Sequence, residues 1–163
     1  MLSKTMQDTL NEQINKELYS AYLYLSMSAY FESVNLPGSA KWMRVQHDEE
    51  RVHALKFFDY VNDRDGRVTL KPIDQPAADF ASPLAVWEMV LEHEKKVTGL
   101  IYKLYEQAVK ENDYATQSLL KWFIDEQVEE EKNATLMLER FKQAGNQPAM
   151  LLLFDGHFTK RGE

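Results

Sequence analysis

Apolar residues recur every three to four positions along four long stretches of the chain, which is the spacing of helices that bury one face. Prolines and glycines are concentrated between these stretches, where they are expected to end helices. The pattern predicts an all-α chain whose long helices begin near Thr5, near Ser39, after Ser82 and after Asp113, the last ending at Gly145. A short fifth helix is predicted at about residues 146–161, around Pro148.

The longest connection, residues 66–82, lies between the second and third helices. Fully extended, such a segment can cover ~50 Å, whereas a helix of ~28 residues is ~42 Å long. The connection can therefore return along the helices and make the second and third parallel. We predict a four-helix bundle over about residues 4–144 with one long crossover connection, within a single domain of residues 1–163.

Each of the four apolar stripes is interrupted by residues that can bind metal: Glu17, then Glu50 with His53, then Glu94, then Gln127 with Glu130. The four glutamates lie ~16–26 Å from a helix end at 1.5 Å per residue. They can therefore share one layer of the bundle. A desolvated carboxylate is costly unless a cation compensates it. The pattern predicts that the carboxylates meet around a pair of metal ions.

The Glu50-x-x-His53 spacing places a carboxylate and an imidazole on one helix face, and dinuclear iron bundles repeat this unit. The fourth helix carries Gln127-x-x-Glu130 instead. Glutamine is a weak ligand or a hydrogen-bonding neighbour of the site. One ion would then have an imidazole ligand, and the other would have oxygen ligands only and be held more loosely. The alternative for Glu17 or Glu94 is pairing with a nearby lysine.

A second acidic cluster precedes and follows Gln127: Glu126, Glu129 and Glu130 are spaced at i, i+3 and i+4. Like charges at this spacing repel one another, and a third cation bound there, with Glu49 from the second helix, would relieve the repulsion. Glu131 is expected on a solvated acidic face.

Aromatic and imidazole neighbours of these residues have two interpretations each. Tyr24 follows Glu17 by seven positions, so it is either a core tyrosine with a carboxylate partner or a redox-active neighbour of the metals. For Trp122 we favour packing. His93 is expected at the surface, because it is turned by ~100° from Glu94 on the helix.

Charge and composition narrow the function further. The net charge of −7 and the lack of a basic stripe argue against nucleic acid as a partner and favour attraction of cations. The chain has no cysteine, which leaves oxygen and nitrogen ligands and excludes disulfides, zinc fingers and iron–sulfur clusters. No apolar stretch approaches the ~20 residues that cross a membrane, and no signal peptide is evident. We therefore expect a cytoplasmic protein that does not bind membranes.

The motifs, in order and spacing, resemble those of the bacterial non-haem ferritins. The matching segments are NEQINKE (residues 11–17), YSAYLYL (19–25), WMR (42–44), EERVH (49–53), EHE (92–94) and EQVEEE (126–131). The resemblance covers essentially the whole chain. It implies a ferritin-like four-helix bundle with a short C-terminal helix, a hollow homo-oligomeric shell of 24 subunits, oxidation of Fe²⁺ at a dinuclear ferroxidase centre and storage of ferric mineral.

The resemblance also assigns roles to single residues. The dinuclear centre is matched by Glu17, Glu50, His53, Glu94, Gln127 and Glu130, a third iron site by Glu49, Glu126, Glu129 and Glu130, and the adjacent tyrosine by Tyr24. Glu50 would bridge two ions, which give electrons to O₂ or peroxide. Zinc is expected to inhibit, because divalent affinities favour it. No haem is expected, since the second Glu-x-x-His of bacterioferritins is missing. The rivals are a di-iron peroxide oxidoreductase without storage and a bundle without chemistry.

Overall fold

All five predicted helices are present in the structure, a computed structural model that describes residues 2–145 and 147–158. Within those residues it contains no β-strand, and its helices are α1 (Lys4–Ser33), α2 (Pro37–Asp63), α3 (Pro83–Lys110), α4 (Tyr114–Ala144) and α5 (Pro148–Phe158). The all-α class is thus confirmed. Of the predicted fifth helix, residues 146 and 159–161 lie outside the described residues. None of the helices described is both long and apolar enough to cross a membrane.

Short polar residues set the helix ends. At the starts of α1, α3 and α4, side-chain oxygens accept backbone N–H groups of the first turn: Met6 N–H to Ser3 Oγ at 3.0 Å, Ala85 N–H to Ser82 Oγ at 3.1 Å, and Thr116 N–H to Asp113 Oδ1 at 3.1 Å. Beyond the ends of α1, α2 and α3, the chain turns through left-handed residues of a type that tolerates this conformation: Asn35, Asp65 and Asn112, with φ of 58°, 56° and 53°. Local sequence therefore determines where these helices start and stop.

Backbone contacts group the chain into two compact units. The first contains residues 1–81 and 144–163, and so holds α1, α2, the long connection and α5. The second contains residues 82–143, which form α3 and almost all of α4. The single domain over residues 1–163 stays a prediction.

In the first unit, the long connection follows α1 for most of its length. Its course is marked by hydrogen bonds and a ring contact: Arg67 N–H to Gln7 Oε1 at 2.9 Å, Thr69 N–H to Asn11 Oδ1 at 2.9 Å, Ser26 Oγ to Ala77 O at 2.6 Å, and Tyr30 to Phe80 with ring centroids 5.2 Å apart. The contacts on α1 span ~35 Å at 1.5 Å per residue. The connection thus returns to the end at which α2 begins, as a crossover requires.

The start of α2 is capped by α5 rather than by its own sequence. Leu36, which precedes α2, forms no side-chain cap. Buried Asp155 of α5 instead accepts hydrogen bonds from Gly38 N–H, Ser39 N–H and Ser39 Oγ, each at 2.7 Å. A carboxylate is favoured at the positive end of a helix. A Cβ on Gly38 would lie 1.9 Å from the carbonyl oxygen of Asp155, so this approach requires glycine.

Candidate metal centre

The first unit brings Glu17, Glu50 and His53 together in its interior. One ligand atom from each residue lies within 4.8 Å of the others, and the residues are only 1%, 3% and 4% exposed. The imidazole Nδ1 of His53 is 3.5 Å from Glu50 Oε2, since i and i+3 lie on one helix face. Two carboxylates and an imidazole in a dry interior are a ligand set suited to iron, zinc or manganese.

The charges in this group favour a bound cation. Burial, reinforced by the nearby negative charge of Glu50, raises the pKa of Glu17 well above its ordinary value. A hydrogen bond that Gln13 donates to Glu17 at 2.7 Å, together with His53, opposes this rise. A metal ion would stabilise both ionised carboxylates at once, because it supplies the positive charge that the interior lacks.

Two glutamines support these carboxylates from one helical turn earlier. Gln13 precedes Glu17 by four residues, and Gln46 precedes Glu50 by four and donates to its Oε1 at 3.3 Å. Both amides are buried, at 3% and 0% exposure. Sequence reasoning assigned no role to them. An amide four residues before a predicted ligand, on the same apolar face, is the signal that could have found them.

The second unit buries Glu94, Gln127 and Glu130, at 1%, 4% and 4% exposure. The amide nitrogen of Gln127 donates to Oε2 and to the backbone oxygen of Glu94, both at 3.2 Å. Of the two interpretations of Gln127, these hydrogen bonds match the neighbour that orients a ligand. Glu94 therefore has a donor from the facing helix α4, whereas Glu17 and Glu50 have donors from their own helices.

The predicted third-site residues differ in exposure. Glu49 and Glu126 are half-buried, and Glu129 is exposed. Glu131, expected on a solvated face, is half-buried and accepts a hydrogen bond from Thr98 Oγ1 at 2.6 Å. The expectation for Glu131 was wrong because Thr98, four residues after Glu94, gives this carboxylate a partner within the unit.

The aromatic and imidazole neighbours of the candidate ligands differ in how far they are buried. Tyr24 is fully buried in α1. Trp122 is 37% exposed and packs edge-on against Phe123, with centroids 4.9 Å apart. His93 is half-buried rather than at the surface; burial, aided by the positive charge of Lys96, lowers its pKa to about 4. The side chain of His93 was expected at the surface because it is turned by ~100° from that of Glu94, but its surroundings still cover part of the imidazole.

Comparison with known proteins agrees with this arrangement. The family model of the ferritin-like domain matches residues 7–144. A protein named bacterial non-heme ferritin from Bacteroides fragilis (strain 638R) is 42% identical over 161 residues, 99% of this chain and 100% of its own length. A protein of the same name from Staphylococcus haemolyticus is 38% identical over 99% of this chain and 97% of its own.

Solved structures give the same result for the fold. A ferritin from the archaeon Archaeoglobus fulgidus, described as an open-pore ferritin, superposes with a TM-score of 0.98 at 46% identity, covering 99% of both chains. An engineered closed form of that ferritin gives a TM-score of 0.97 at 47% identity, covering 99% of this chain and 98% of its own. The ferritin-like four-helix fold with one crossover and a short C-terminal helix, predicted from the sequence, is confirmed.

The family model matches residues 7–144, relatives and solved structures match 99% of the chain, and the first two helices bury a set of side chains suited to iron. This chain belongs to the ferritin family and is an iron-storage ferritin with ferroxidase activity.

Proposed function

We propose that this ferritin oxidises Fe²⁺ at a dinuclear centre whose ligands are Glu17, Glu50, His53, Glu94 and Glu130, with Gln127 beside them. The observation that carries the proposal is the buried group of Glu17, Glu50 and His53. Two acids in contact with one imidazole would be costly in a dry interior unless a cation bound there. Family membership supports the choice of iron.

The charges of these carboxylates and of the iron ions suggest how the reaction would proceed. Glu50 would bridge the two Fe²⁺ ions, with Glu17 and His53 as ligands of one ion and Glu94 and Glu130 as ligands of the other. The raised pKa of Glu17 favours its protonated form in the metal-free protein. This proton would be released when iron binds. Each ion would give one electron to the oxidant: with two protons, O₂ would become H₂O₂, or H₂O₂ would become two water molecules. Carboxylates then stabilise the Fe³⁺ products, because hard oxygen ligands offset the added positive charge.

Storage requires that the product leave this centre. We place the third iron site at Glu49, Glu126, Glu129 and Glu130, and the exposure of Glu129 supports a path toward solvent. Tyr24, buried on α1, is proposed as the redox-active neighbour. The ferric mineral would collect in a homo-oligomeric shell of 24 subunits, as the family resemblance implies. The absence of bound haem, the exclusion of nucleic acid and membranes as partners, and the cytoplasmic location stay predictions.

Substitution of ligands tests the centre directly. Glu50→Ala and His53→Ala are each expected to slow the initial oxidation of Fe²⁺ by at least about 100-fold, the upper end of what even outer-shell changes cost at metal sites. The measurement is stopped-flow absorbance of ferric species after mixing with aerobic Fe²⁺. Glu88→Ala, at an exposed position of α3, is the control for the loss of one acid and should keep the parent rate. Oxidation by Glu50→Ala at the parent rate would show that the centre is elsewhere.

A further inference from the structure

Thr98 lies where the hydrogen bonds of the second unit converge, although it is not a ligand of the proposed centre. Its side chain is on α3, four residues after Glu94, and it is 8% exposed. We infer that Thr98, anchored by Glu131, is a positioning residue that acts through Gln127 to fix the carboxylate of Glu94 for the second iron. The inference rests on the proposed function, because it takes Glu94 to be a ligand.

The direction of the Thr98 hydroxyl proton is the first step. Oγ1 is 2.6 Å from Glu131 Oε1 and 3.0 Å from the backbone oxygen of Glu94. A hydroxyl has one proton and two lone pairs. Hydrogen bonds to a carboxylate are shorter and about twice as strong as neutral ones, so the proton lies toward Glu131. The lone pairs of Thr98 Oγ1 are then available to accept a hydrogen bond.

The orientation of the Gln127 amide is the second step. Three oxygens lie 3.2 Å from its nitrogen: Thr98 Oγ1, Glu94 Oε2 and Glu94 O. Were the amide flipped, its carbonyl oxygen would face these acceptors with no proton to share. Because Thr98 gives its proton to Glu131, it presents only lone pairs to Gln127. Thr98 and Glu131 thereby hold the amide with its nitrogen toward Glu94.

The consequence for the metal is the third step. The amide of Gln127 holds Oε2 of Glu94 at 3.2 Å, which restricts rotation of the carboxylate about its own bond. A ligand oriented in this way loses less conformational freedom when an ion binds, and partners of this kind change metal affinity by about 10–100-fold. Thr98 should therefore affect the affinity for the second ion and have little effect on the ion held by Glu17, Glu50 and His53.

The test is a titration of the assembled, metal-free protein with Zn²⁺, followed by calorimetry. Thr98→Val keeps the shape of the side chain and removes the hydroxyl. We expect it to weaken the lower-affinity ion about tenfold and to leave the tighter ion unchanged, while Thr98→Ser stays close to the parent. Thr9→Val is the matched control, because Thr9 lies on α1 and its hydroxyl donates to the backbone oxygen of Thr5, four residues earlier, at 2.7 Å.

Oxidation kinetics supply a second readout that a general loss of stability would not reproduce. Thr98→Val should raise the KM for Fe²⁺ while kcat changes less, and Glu131→Gln should do the same to a smaller extent. Glu131→Gln changes a half-buried side chain, so it tests the inference even if Thr98→Val fails to assemble. Unchanged KM and Zn²⁺ affinity in both Thr98→Val and Glu131→Gln would overturn the inference.

Glu94→Ala separates this inference from the proposed function. If Glu94→Ala removes the weaker ion and Thr98→Val does not affect it, Glu94 is a ligand and the positioning role of Thr98 is wrong. If Glu94→Ala leaves both ions bound at parent affinity, the proposed second iron site itself is wrong.

Discussion

The buried acids of the proposed centre have different surroundings in the first unit and in the second unit. In the first unit, Glu17 and Glu50 are close enough that each charge disfavours the other, and the pKa of Glu17 is raised. In the second unit, Glu94 has a glutamine from the facing helix as its hydrogen-bond donor, and Thr98 and Glu131 orient that glutamine. All three acids thus have an amide donor, but Glu17 and Glu50 also face each other.

This difference has a consequence for affinity. A crowded acid pair gains most from a cation, because the cation removes repulsion and restores the ionised form. An acid that faces a neutral amide is stabilised less when an ion arrives, since a cation there has less repulsion between carboxylates to remove. We therefore expect the first unit to supply the tighter iron position and the second unit the looser one.

Glu17→Gln and Glu94→Gln test this comparison with the largest expected effects. Glu17→Gln should slow iron oxidation by at least about 100-fold and yet stabilise the metal-free protein at neutral pH, because it replaces a buried carboxyl group whose pKa is raised with a neutral amide. Glu94→Gln should also lose activity, but with a smaller gain in stability, because the Glu94 carboxylate faces the neutral amide of Gln127, whereas Glu17 faces the charge of Glu50. Stopped-flow oxidation and thermal unfolding of the metal-free proteins measure both. Equal stability gains in the two variants would contradict the contrast.

Gln127→Glu converts the second half into a crowded pair like the first. A carboxylate in place of the amide would face Glu94 Oε2, now 3.2 Å from the amide nitrogen. The metal-free protein is expected to lose about 1–3 kcal/mol of unfolding free energy, the penalty of a buried group that lacks its partner. The affinity for the second Zn²⁺ should rise about tenfold, as a neutral neighbour becomes a charged ligand. Denaturant unfolding and calorimetry measure the two quantities, and a weaker second ion would contradict the comparison.

The smallest expected effect is the dependence of the unfolding free energy of the metal-free protein on pH. The folded-state pKa of Glu17 is raised above 4.5, so in the window above that value the folded state binds more protons than the unfolded state. The contribution of Glu17 to stability is thus fully present below pH 4.5 and is lost as the pH rises through the folded-state pKa. The difference in unfolding free energy between parent and Glu17→Gln should grow over this range. A difference that is constant with pH would show that Glu17 does not titrate abnormally.

Much of the fold could be predicted from local signals. The apolar period predicted the helices, and Ser82 and Asp113, after which the third and fourth helices were predicted to begin, cap α3 and α4. The second helix, predicted to begin near Ser39, begins at Pro37, because the fixed φ of proline suits the first position of a helix. The cap that Asp155 provides there joins residues 116 and 117 positions apart, which no periodic pattern reports.

The candidate metal centre likewise contains residues that the sequence pattern could identify and residues that it could not. Glu17, Glu50 and His53 could be identified because acids and an imidazole interrupt an apolar stripe, and their burial follows from that position. Thr98 and Glu131 could not, since a threonine on a helix and an acid in an acidic run are common and carry no signal alone. Their role depends on a 2.6 Å hydrogen bond between α3 and α4.

The amino-acid sequence by itself determined which face of each helix is buried and which acids lie on it, because helical geometry fixes the direction of every side chain relative to its neighbours. Only the tertiary structure decided that Glu17 and Glu50 face each other and that Glu94 receives a hydrogen bond from another helix. Hydrogen bonds and pKa shifts depend on distances of a few ångströms between atoms that are far apart in the chain, and a one-dimensional pattern does not contain those distances.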